Sequence, residues 1–220
     1  MKKELIFLGP PACGKGTQTN KLSEFLGFPH IDTGSLLRAE IAKATPDGIV
    51  AKSFIDKGQL VPPELVGNII GNRLAEKDCE NGYVLDGYPR SLAQAEMLEK
   101  INEKNDKEQA DFKAIYFDID TELLIERIVN RQSCPKCGEI YNKKFKPSKV
   151  ENVCDKCNVE LKTRADDNEE IARARFETYF RETAPLVEFY TKKGVLYKLD
   201  ANGTIDEVWD RMLKIINGQG

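Results

Sequence analysis

The sequence predicts an α/β protein in which helices cover both faces of a parallel sheet. Five short apolar runs have the pattern of buried strands, at residues 4–8, 29–31, 82–86, 112–119 and 195–199. The segments between them carry apolar residues at a spacing of about 3.6, which is typical of helices. Strands that alternate with helices form parallel β-α-β units, so the pattern predicts a doubly wound sheet. The 220 residues are enough for one large core with small appendages.

Composition and charge narrow the class of protein. The formal net charge of −3 gives no overall attraction to nucleic acid. No apolar run approaches the ~18 residues of a membrane span, and residues 1–4 lack the apolar region of a signal peptide. We therefore expect a cytoplasmic protein without nucleic-acid or membrane partners.

The first apolar run leads into a glycine-rich loop, Gly9–Thr17, and then into a predicted helix. In this setting a loop wraps backbone N–H groups around a polyphosphate, and the helix N-terminus favours the negative charge. Lys15 would reach the β- and γ-phosphates. The usual Ser/Thr position after the lysine holds Gly16, and Thr17 follows it. The helix is predicted to carry three apolar residues on one face: Leu22, Phe25 and Leu26.

Two regions interrupt the alternation of strands and helices. Residues 32–61 have the pattern of an all-helical insert, whereas residues 132–163 lack helical periodicity and contain short β-type pieces. The second region holds two Cys-x2-Cys pairs: Cys134, Cys137, Cys154 and Cys157. Without a secretion signal, this spacing indicates a zinc site rather than disulfides. The site would be structural, because four thiolates saturate a tetrahedral ion.

Two further helices follow from the pattern. A helix over residues 121–132 would place Arg127 and Arg131 on one face, since they are four residues apart. Residues 166–190 are predicted to form a long helix with a break near Pro185. Thr204 and Glu207 form a capping box that begins the last helix.

Arginines recur at predicted strand ends and helical breaks: Arg38, Arg90, Arg127, Arg131, Arg164, Arg173 and Arg175. A guanidinium donates two parallel hydrogen bonds to a phosphate. Each arginine taken alone is also explained by a solvated surface position, but the set favours a second phosphate site. Asp86 ends the run 82–86, where phosphate-loop enzymes have a carboxylate that organises Mg²⁺. The alternative is a turn or capping aspartate.

Four motifs, in this order along the chain, resemble those of the adenylate kinase family. They are Gly14-Lys-Gly-Thr17, Thr33-Gly-x-Leu-Leu-Arg38, Asp86-Gly-Tyr-Pro-Arg90 followed by Gln94, and Arg164-x-Asp-Asp167 followed by Arg173-x-Arg175. The resemblance covers nearly the whole chain. It implies reversible, Mg-dependent transfer from ATP to AMP to give two ADP, directly and in line, by a monomer whose lid closes on the substrates.

The resemblance also implies the architecture. We expect a P-loop three-layer α/β/α core with a five-stranded parallel sheet, formed by residues 1–31, 62–129 and 168–220. Residues 32–61 would be the AMP-binding insert. Residues 130–167 would be a β-rich lid with the zinc site.

Site residues follow from the resemblance, position by position. The catalytic set would be Lys15, Asp86, Arg90, Arg127, Arg131, Arg164 and Arg175. ATP would contact Ala12, Cys13, Gly14, Lys15, Gly16, Thr17, Arg127, Arg131, Ile140, Tyr141 and Ile205. AMP would contact Thr33, Arg38, Gln59, Leu60, Val61, Gly87, Tyr88, Pro89, Arg90, Gln94, Arg164 and Arg175. Thr33 and Gln94 each have an alternative role as a helix cap.

The chain departs from the family pattern at a few positions. Ala12 stands where a glycine is common, Asp32 and Ser35 exchange the usual Ser and Asp, and Tyr88 replaces Phe. Asp32 adds negative charge near an anionic substrate. Cys13 lies at a helix N-terminus, a setting that favours a reactive thiolate. We put forward the hypothesis that its modification blocks ATP binding; the alternative is a small loop residue without a redox role.

Three other functions remain open from the sequence. Another nucleoside monophosphate kinase would use UMP, CMP or GMP as acceptor. A zinc-ribbon nucleic-acid-binding protein is suggested by the lysine-rich run 143–146 between the cysteine pairs. A regulatory switch would hydrolyse ATP without AMP.

Overall fold

The computed structural model describes residues 2–105, 110–122 and 124–218. Its strands are β1 (Lys3–Leu8), β2 (His30–Asp32), β3 (Gly82–Asp86), β4 (Asp111–Asp118), β5 (Arg131–Ser133), β6 (Ile140–Asn142) and β7 (Leu196–Asp200). Its helices are α1 (Lys15–Leu26), α2 (Thr33–Ala42), α3 (Pro46–Ile55), α4 (Pro63–Leu74), α5 (Leu92–Asn105), α6 (Leu124–Val129), α7 (Glu169–Thr178), α8 (Pro185–Lys192) and α9 (Ile205–Ile216). A π-turn (Tyr179–Thr183) joins α7 to α8.

The predicted parallel sheet is confirmed. Five strands pair in the order β2-β3-β1-β4-β7, and all four pairings are parallel. Each predicted run is one of these strands, with ends that differ by no more than one residue. Because parallel strands end at the same edge, the segments after β1, β2 and β3 all begin at one side of the sheet. The crevice outside these carboxyl ends is where open α/β sheets bind ligands.

Both faces of the sheet are covered, which confirms the three layers. Ile6 and Leu8 of β1 pack with α4, α5 and α8 on one face. Leu5 and Phe7 pack with α1 and α9 on the other. The central strand is therefore apolar at consecutive positions, because neither of its faces meets water.

Residues 33–55 form the two helices α2 and α3. Their contact requires Gly48, since a Cβ at that position would lie 2.2 Å from the carbonyl oxygen of Glu40. Thr45 caps α3 by accepting the N–H of Gly48 at 3.0 Å. In the second interruption, β5 and β6 form an antiparallel pair, which confirms the β-type reading of that region.

Two helix predictions are wrong in extent. The helix predicted over 121–132 ends at Val129, and Arg131 lies in β5, so Arg127 and Arg131 do not share a helix face. The reason is that β6 and the residue after it supply donors to the helix end: Asn142 Nδ2 donates to the carbonyl of Arg127 at 2.9 Å, and the Lys143 N–H donates to that of Asn130.

The long helix predicted over 166–190 begins later and is interrupted. Asn168 caps α7 by accepting the N–H of Ile171 at 2.9 Å, and the π-turn precedes Pro185. Phe25 does not join the buried face of α1: it is 60% exposed and lies edge-on to Trp209 at 5.6 Å. The capping box of α9 is confirmed at Thr204 and Glu207. None of the helices within the described ranges has the length and apolar character of a membrane span.

Candidate active site

The loop between β1 and α1 presents backbone N–H groups to the crevice. Gly14 is the N-cap of α1, has a φ of 95° and provides no side-chain cap. The first amides of α1 lack intrahelical acceptors, as they do at the start of any helix, and are available to an anion. Lys15 Nζ donates to the carbonyls of Gly9 at 2.7 Å and Pro10 at 3.1 Å, so the loop's own backbone holds the ammonium group beside these amides.

Ala12 adopts a conformation that favours glycine. Its φ is 60°, and the left-handed region costs an L-residue roughly 1–2 kcal/mol. The methyl group packs against the apolar cluster formed by α6 and α7, whose buried members include Leu124 and Phe176. The alanine that replaces the usual glycine thus packs the loop against α6 and α7, the two helices that carry Arg127 and Arg175.

The side chain of Cys13, a residue of the loop, is buried under the loop backbone. It is 3% exposed, and its Sγ accepts a hydrogen bond from Lys15 Nζ at 3.3 Å. A reagent would reach this thiol only if the loop opened. The hypothesis of a reactive Cys13 therefore requires motion of the loop.

Asp86 ends β3 directly opposite α1. Its Oδ2 accepts from Thr19 Oγ1 at 3.3 Å and lies 3.9 Å from His30 Nε2. The backbone carbonyl of Asp86 accepts from Thr33 Oγ1 at 3.2 Å, so the Thr33 hydroxyl holds the end of a strand. The N-cap of α2 is Asp32. A carboxylate beside the phosphate loop fits Mg²⁺, which prefers oxygen ligands and keeps several waters.

The guanidinium of Arg38 is held by residues at the start of α2. Asp32 accepts the N–H groups of Gly34 and Ser35, each at 3.1 Å, and also contacts the Ser35 hydroxyl. Arg38 Nη2 donates to Asp32 Oδ2 at 3.2 Å and to Ser35 Oγ at 3.0 Å. Burial opposes the charge on Asp32, but the Ser35 hydrogen bond and the Arg38 charge keep its pKa below the usual range. Asp32 and Ser35, the two residues that exchange the family's usual Ser and Asp, thus hold the Arg38 guanidinium in place.

Arg90 is exposed to solvent, but three hydrogen bonds fix its backbone and side chain. Its N–H donates to Gln94 Oε1 at 2.7 Å, and its Nε donates to the carbonyl of Gly87 at 2.8 Å. Its carbonyl accepts from Thr183 Oγ1 at 2.7 Å. Only half of the capping box predicted for Gln94 is present, since the Gln94 N–H donates to Ser91 Oγ but its side chain turns to Arg90.

Three arginines crowd around one buried carboxylate. Asp167 accepts from Arg131 Nε at 2.8 Å and from a second nitrogen of the same guanidinium. Arg175 Nη1 lies 3.1 Å from Asp166 Oδ2 and 3.5 Å from Asp167 Oδ1. Burial, followed by the charges of Arg131 and Arg38, lowers the pKa of Arg164 to about 10. Burial and the charge of Arg131 lower the pKa of Arg175 to about 10.

This crowding has an electrostatic consequence. Arg164 and Arg175 stay protonated at neutral pH, because their lowered pKa values remain well above 7. Two aspartates do not neutralise the local charge, so an oligo-anion such as a polyphosphate would relieve the repulsion. The region is therefore suited to bind phosphates.

Arg127 faces an aromatic ring. Its guanidinium carbon lies 5.4 Å from the centroid of Phe145, within the range of a cation–π contact. Nearby, Ile205 is 40% exposed at the start of α9, and its carbonyl accepts from Gln18 Nε2 at 2.7 Å. A flat cation beside apolar surface suits an aromatic base.

One cleft of about 1310 Å³ brings these groups together. The predicted site residues that line it are Ala12, Cys13, Gly14, Lys15, Gly16, Thr17, Thr33, Arg38, Gln59, Leu60, Val61, Asp86, Gly87, Pro89, Arg90, Gln94, Arg127, Arg131, Ile140, Tyr141, Arg164, Arg175 and Ile205. Tyr88 is the exception: it is fully buried in the core and does not line the cleft. Sequence reasoning missed Phe145, Asp166 and Thr183 among the lining residues. Asp166 lies within the fourth motif and Phe145 within the run 143–146, but neither pattern assigned these residues a role in the site; Thr183 lies in no motif.

The four lid cysteines form a compact cluster. Their Sγ atoms, from Cys134, Cys137, Cys154 and Cys157, lie within 4.8 Å of one another. The Zn–S bond of about 2.3 Å in a tetrahedral site places sulfurs about 3.8 Å apart. The Cys137 and Cys154 sulfurs are 3.8 Å apart. Cys134 Sγ also accepts the N–H of Lys136 at 3.4 Å, and Cys154 Sγ that of Cys157 at 3.4 Å, and such outer-shell hydrogen bonds orient metal ligands. The donor set therefore fits zinc.

Known proteins are similar to this chain over almost its full length. The family model described as adenylate kinase matches residues 7–195. The chain is 43% identical over 217 residues to the adenylate kinase of Thermotoga neapolitana, with 98% of each chain covered. It is 44% identical over 214 residues to that of Clostridium novyi (97% of this chain, 98% of the relative). It is 46% identical over 213 residues to that of Archaeoglobus fulgidus (96% and 97%). The chain therefore belongs to the adenylate kinase family.

Proposed function

We propose that the protein catalyses ATP + AMP ⇌ 2 ADP by direct transfer of the γ-phosphoryl group, the activity that membership of the adenylate kinase family supports. One observation carries the assignment of residues. The phosphate loop and the pair Arg38 and Arg90 line the same cleft, with Arg131, Arg164 and Arg175 also in its wall. A loop alone suits one polyphosphate; a second cationic group in the same cleft suits an acceptor that is itself a phosphate.

The donor nucleotide would bind at the loop. Residues 12–17 would surround the β- and γ-phosphates with their amides and with Lys15. The Arg127 guanidinium would stack on the base, while Ile140, Tyr141 and Ile205 border it. When bound, Mg²⁺ neutralises phosphate charge, and Asp86 would hold its water ligands.

The acceptor nucleotide would bind on the side of α2. Arg38 and Arg90 would hold the α-phosphate of AMP, and Thr33, residues 59–61 and Gln94 would border the base. The backbone of 87–89 would form the adjoining wall. Tyr88 would contribute through its main chain, since its ring lies in the core.

The arginines would supply most of the catalysis. Phosphoryl transfer leaves little covalent chemistry to the protein, so positioning and charge stabilisation dominate. Lys15, Arg90, Arg131, Arg164 and Arg175 would neutralise the charge on the transferred group, whereas Arg127 would serve the base. We expect no phosphorylated enzyme intermediate and no essential general base. Exclusion of water by a closing lid would prevent hydrolysis of ATP.

The division of the chain follows from these roles. We assign residues 1–31, 62–129 and 168–220 to the core, 32–61 to an AMP-binding insert and 130–167 to a lid. Zinc would be structural, because four thiolates leave no open position. A cytoplasmic location agrees with a thiolate site, which needs reduced cysteines. A monomer agrees with a cleft whose donor and acceptor sides come from one chain.

The test is ADP formation from MgATP with and without AMP. We expect ADP only when AMP is present, and little or none with UMP, CMP or GMP. Arg131→Ala should lower kcat strongly, whereas Arg173→Ala, whose partner is the exposed Glu169, should leave it unchanged. ADP formation at the same rate without AMP would contradict the proposal and favour an ATP-hydrolysing switch. A faster rate with another monophosphate would reassign the acceptor, and salt-dependent binding of nucleic acid would revive the zinc-ribbon function.

A further inference from the structure

The connection between α7 and α8 contains one residue more per turn than an α-helix. In the π-turn, the N–H of Ala184 donates to the carbonyl of Tyr179 at 2.9 Å, five residues back. Each residue of an α-helix turns it by about 100°. The inserted residue therefore rotates the positions after it by about that angle relative to the positions before it. Such turns are frequent at functional sites.

One buried threonine precedes this turn and another ends it, and both bond to other segments. Thr178 Oγ1 donates to the carbonyl of Gly58 at 3.1 Å, and Thr183 Oγ1 donates to that of Arg90 at 2.7 Å. Threonines in helices commonly donate to a carbonyl in the preceding turn of their own helix. Thr191 of α8 does so, with Val187 at 2.6 Å. The π-turn thus directs the Thr183 hydroxyl away from its helix and toward the acceptor side of the cleft.

The Thr183 contact completes the support of Arg90. Gln94 binds the Arg90 N–H, the Gly87 carbonyl binds its Nε, and Thr183 binds its carbonyl. The first two partners are within four residues of Arg90 and would move with its loop. Thr183 is the partner on a distant element, and it is 8% exposed. It therefore ties the loop to the π-turn that follows α7, the helix that carries Arg175.

We propose that Thr183 is a positioning residue for the acceptor site: its hydroxyl fixes the carbonyl of Arg90 and, through the backbone, the guanidinium that holds the α-phosphate of AMP. The proposal rests on the proposed function for the identity of that phosphate. A displacement of about 1 Å at a group that aligns a reactant costs on the order of 100-fold in rate. Loss of one buried hydrogen bond is expected to cost about tenfold.

The experiment compares three variants in steady-state kinetics. Thr183→Val removes the hydroxyl and keeps the shape, Thr183→Ser keeps the hydroxyl, and Thr191→Val is the matched control on the neighbouring helix. We expect Thr183→Val to lower kcat/KM for AMP by about tenfold, with the dissociation constant of ATP within twofold of the wild type. Thr183→Ser should restore most of the loss, and Thr191→Val should match the wild type.

Three outcomes would overturn the role of Thr183. They are an unchanged kcat/KM for AMP in Thr183→Val, an equal loss for ATP and AMP, and a Thr183→Ser variant as impaired as the valine. If Thr183→Val does not fold, Thr183→Ser and Thr183→Ala, checked by circular dichroism, provide the same comparison. A wild-type protein without AMP-dependent ADP formation would instead refute the proposed function. The two failures are therefore distinguishable.

Discussion

Replacement of Asp167 by Asn tests the electrostatics of the arginine group. The Asp167 side chain has no exposure to solvent, and it receives two hydrogen bonds from Arg131, whose side chain is 13% exposed. Arg175 lies 3.5 Å from the same carboxylate. Asparagine has nearly the same shape, but it removes the negative charge and turns an NH₂ group toward a guanidinium that only donates.

The expected cost follows from burial. Removing one partner of a buried ion pair costs about 3–5 kcal/mol, because the remaining charge is left uncompensated. For a chain of this size, 1 kcal/mol corresponds to roughly 2–4 °C in Tm, so we expect a decrease of about 6–20 °C. The matched control is Glu169→Gln, two residues away. Its partner Arg173 is 63% exposed, and surface pairs of this kind contribute about 0.3–0.5 kcal/mol.

Urea unfolding followed by circular dichroism is the appropriate assay, because urea does not screen charges as guanidinium chloride does. The Asp167→Asn loss should depend little on added salt, and inorganic triphosphate should recover part of it by binding the exposed cations. An Asp167→Asn variant that loses less than about 1 kcal/mol, or no more than Glu169→Gln, would refute the reasoning. The local positive charge would then be balanced by groups other than Asp167.

Three further predictions follow from the site. Lys15→Gln should lower kcat by about 100- to 1000-fold with an unchanged urea midpoint, because it removes a donor aimed at developing charge; a tenfold or smaller loss in kcat would contradict its role. Chelation of the lid metal should release about one zinc per chain, expose four titratable thiols and lower Tm while some activity remains; purified protein without zinc and with four free lid thiols would contradict a structural zinc site. Because the pKa of Asp32 is lowered in the folded protein, its stabilising contribution is present above the unfolded value of about 3.9 and is lost as the pH falls through the folded value. Asp32→Asn should therefore flatten the acid side of the pH–stability curve; an identical acid limb in wild type and variant would show that the Ser35 hydrogen bond and the Arg38 charge contribute nothing.

The strands and the phosphate loop were predictable from local patterns. Residues 5–8 are apolar at consecutive positions because β1 is buried on both faces, and the Gly9–Thr17 spacing reflects backbone geometry that the loop needs. The cysteine cluster was likewise predictable, since the spacing within each pair lets both thiols reach one ion. Each of these features depends on residues that are close together in the sequence, so a local pattern is enough to predict it.

The helix ends were less predictable, because other segments decide them. Arg131 continues a helical pattern after Arg127, yet it lies in β5, since β6 supplies partners for the end of α6. Phe25 fits an apolar stripe but lies on the surface beside Trp209.

The sequence by itself determined the fold class, the phosphate loop and the cysteine cluster, which depend on periodicity and on fixed spacing along the chain. Its resemblance to a known family named site residues of which all but Tyr88 line the cleft. Only the tertiary structure decided which groups hold the arginines: Asp167 for Arg131, Asp32 for Arg38 and Thr183 for Arg90. Asp167 and Thr183 are 36 and 93 residues from their partners in the chain. A hydrogen bond over such a separation exists only after the sheet, the lid and the π-turn have brought the segments together, so no local pattern carries it.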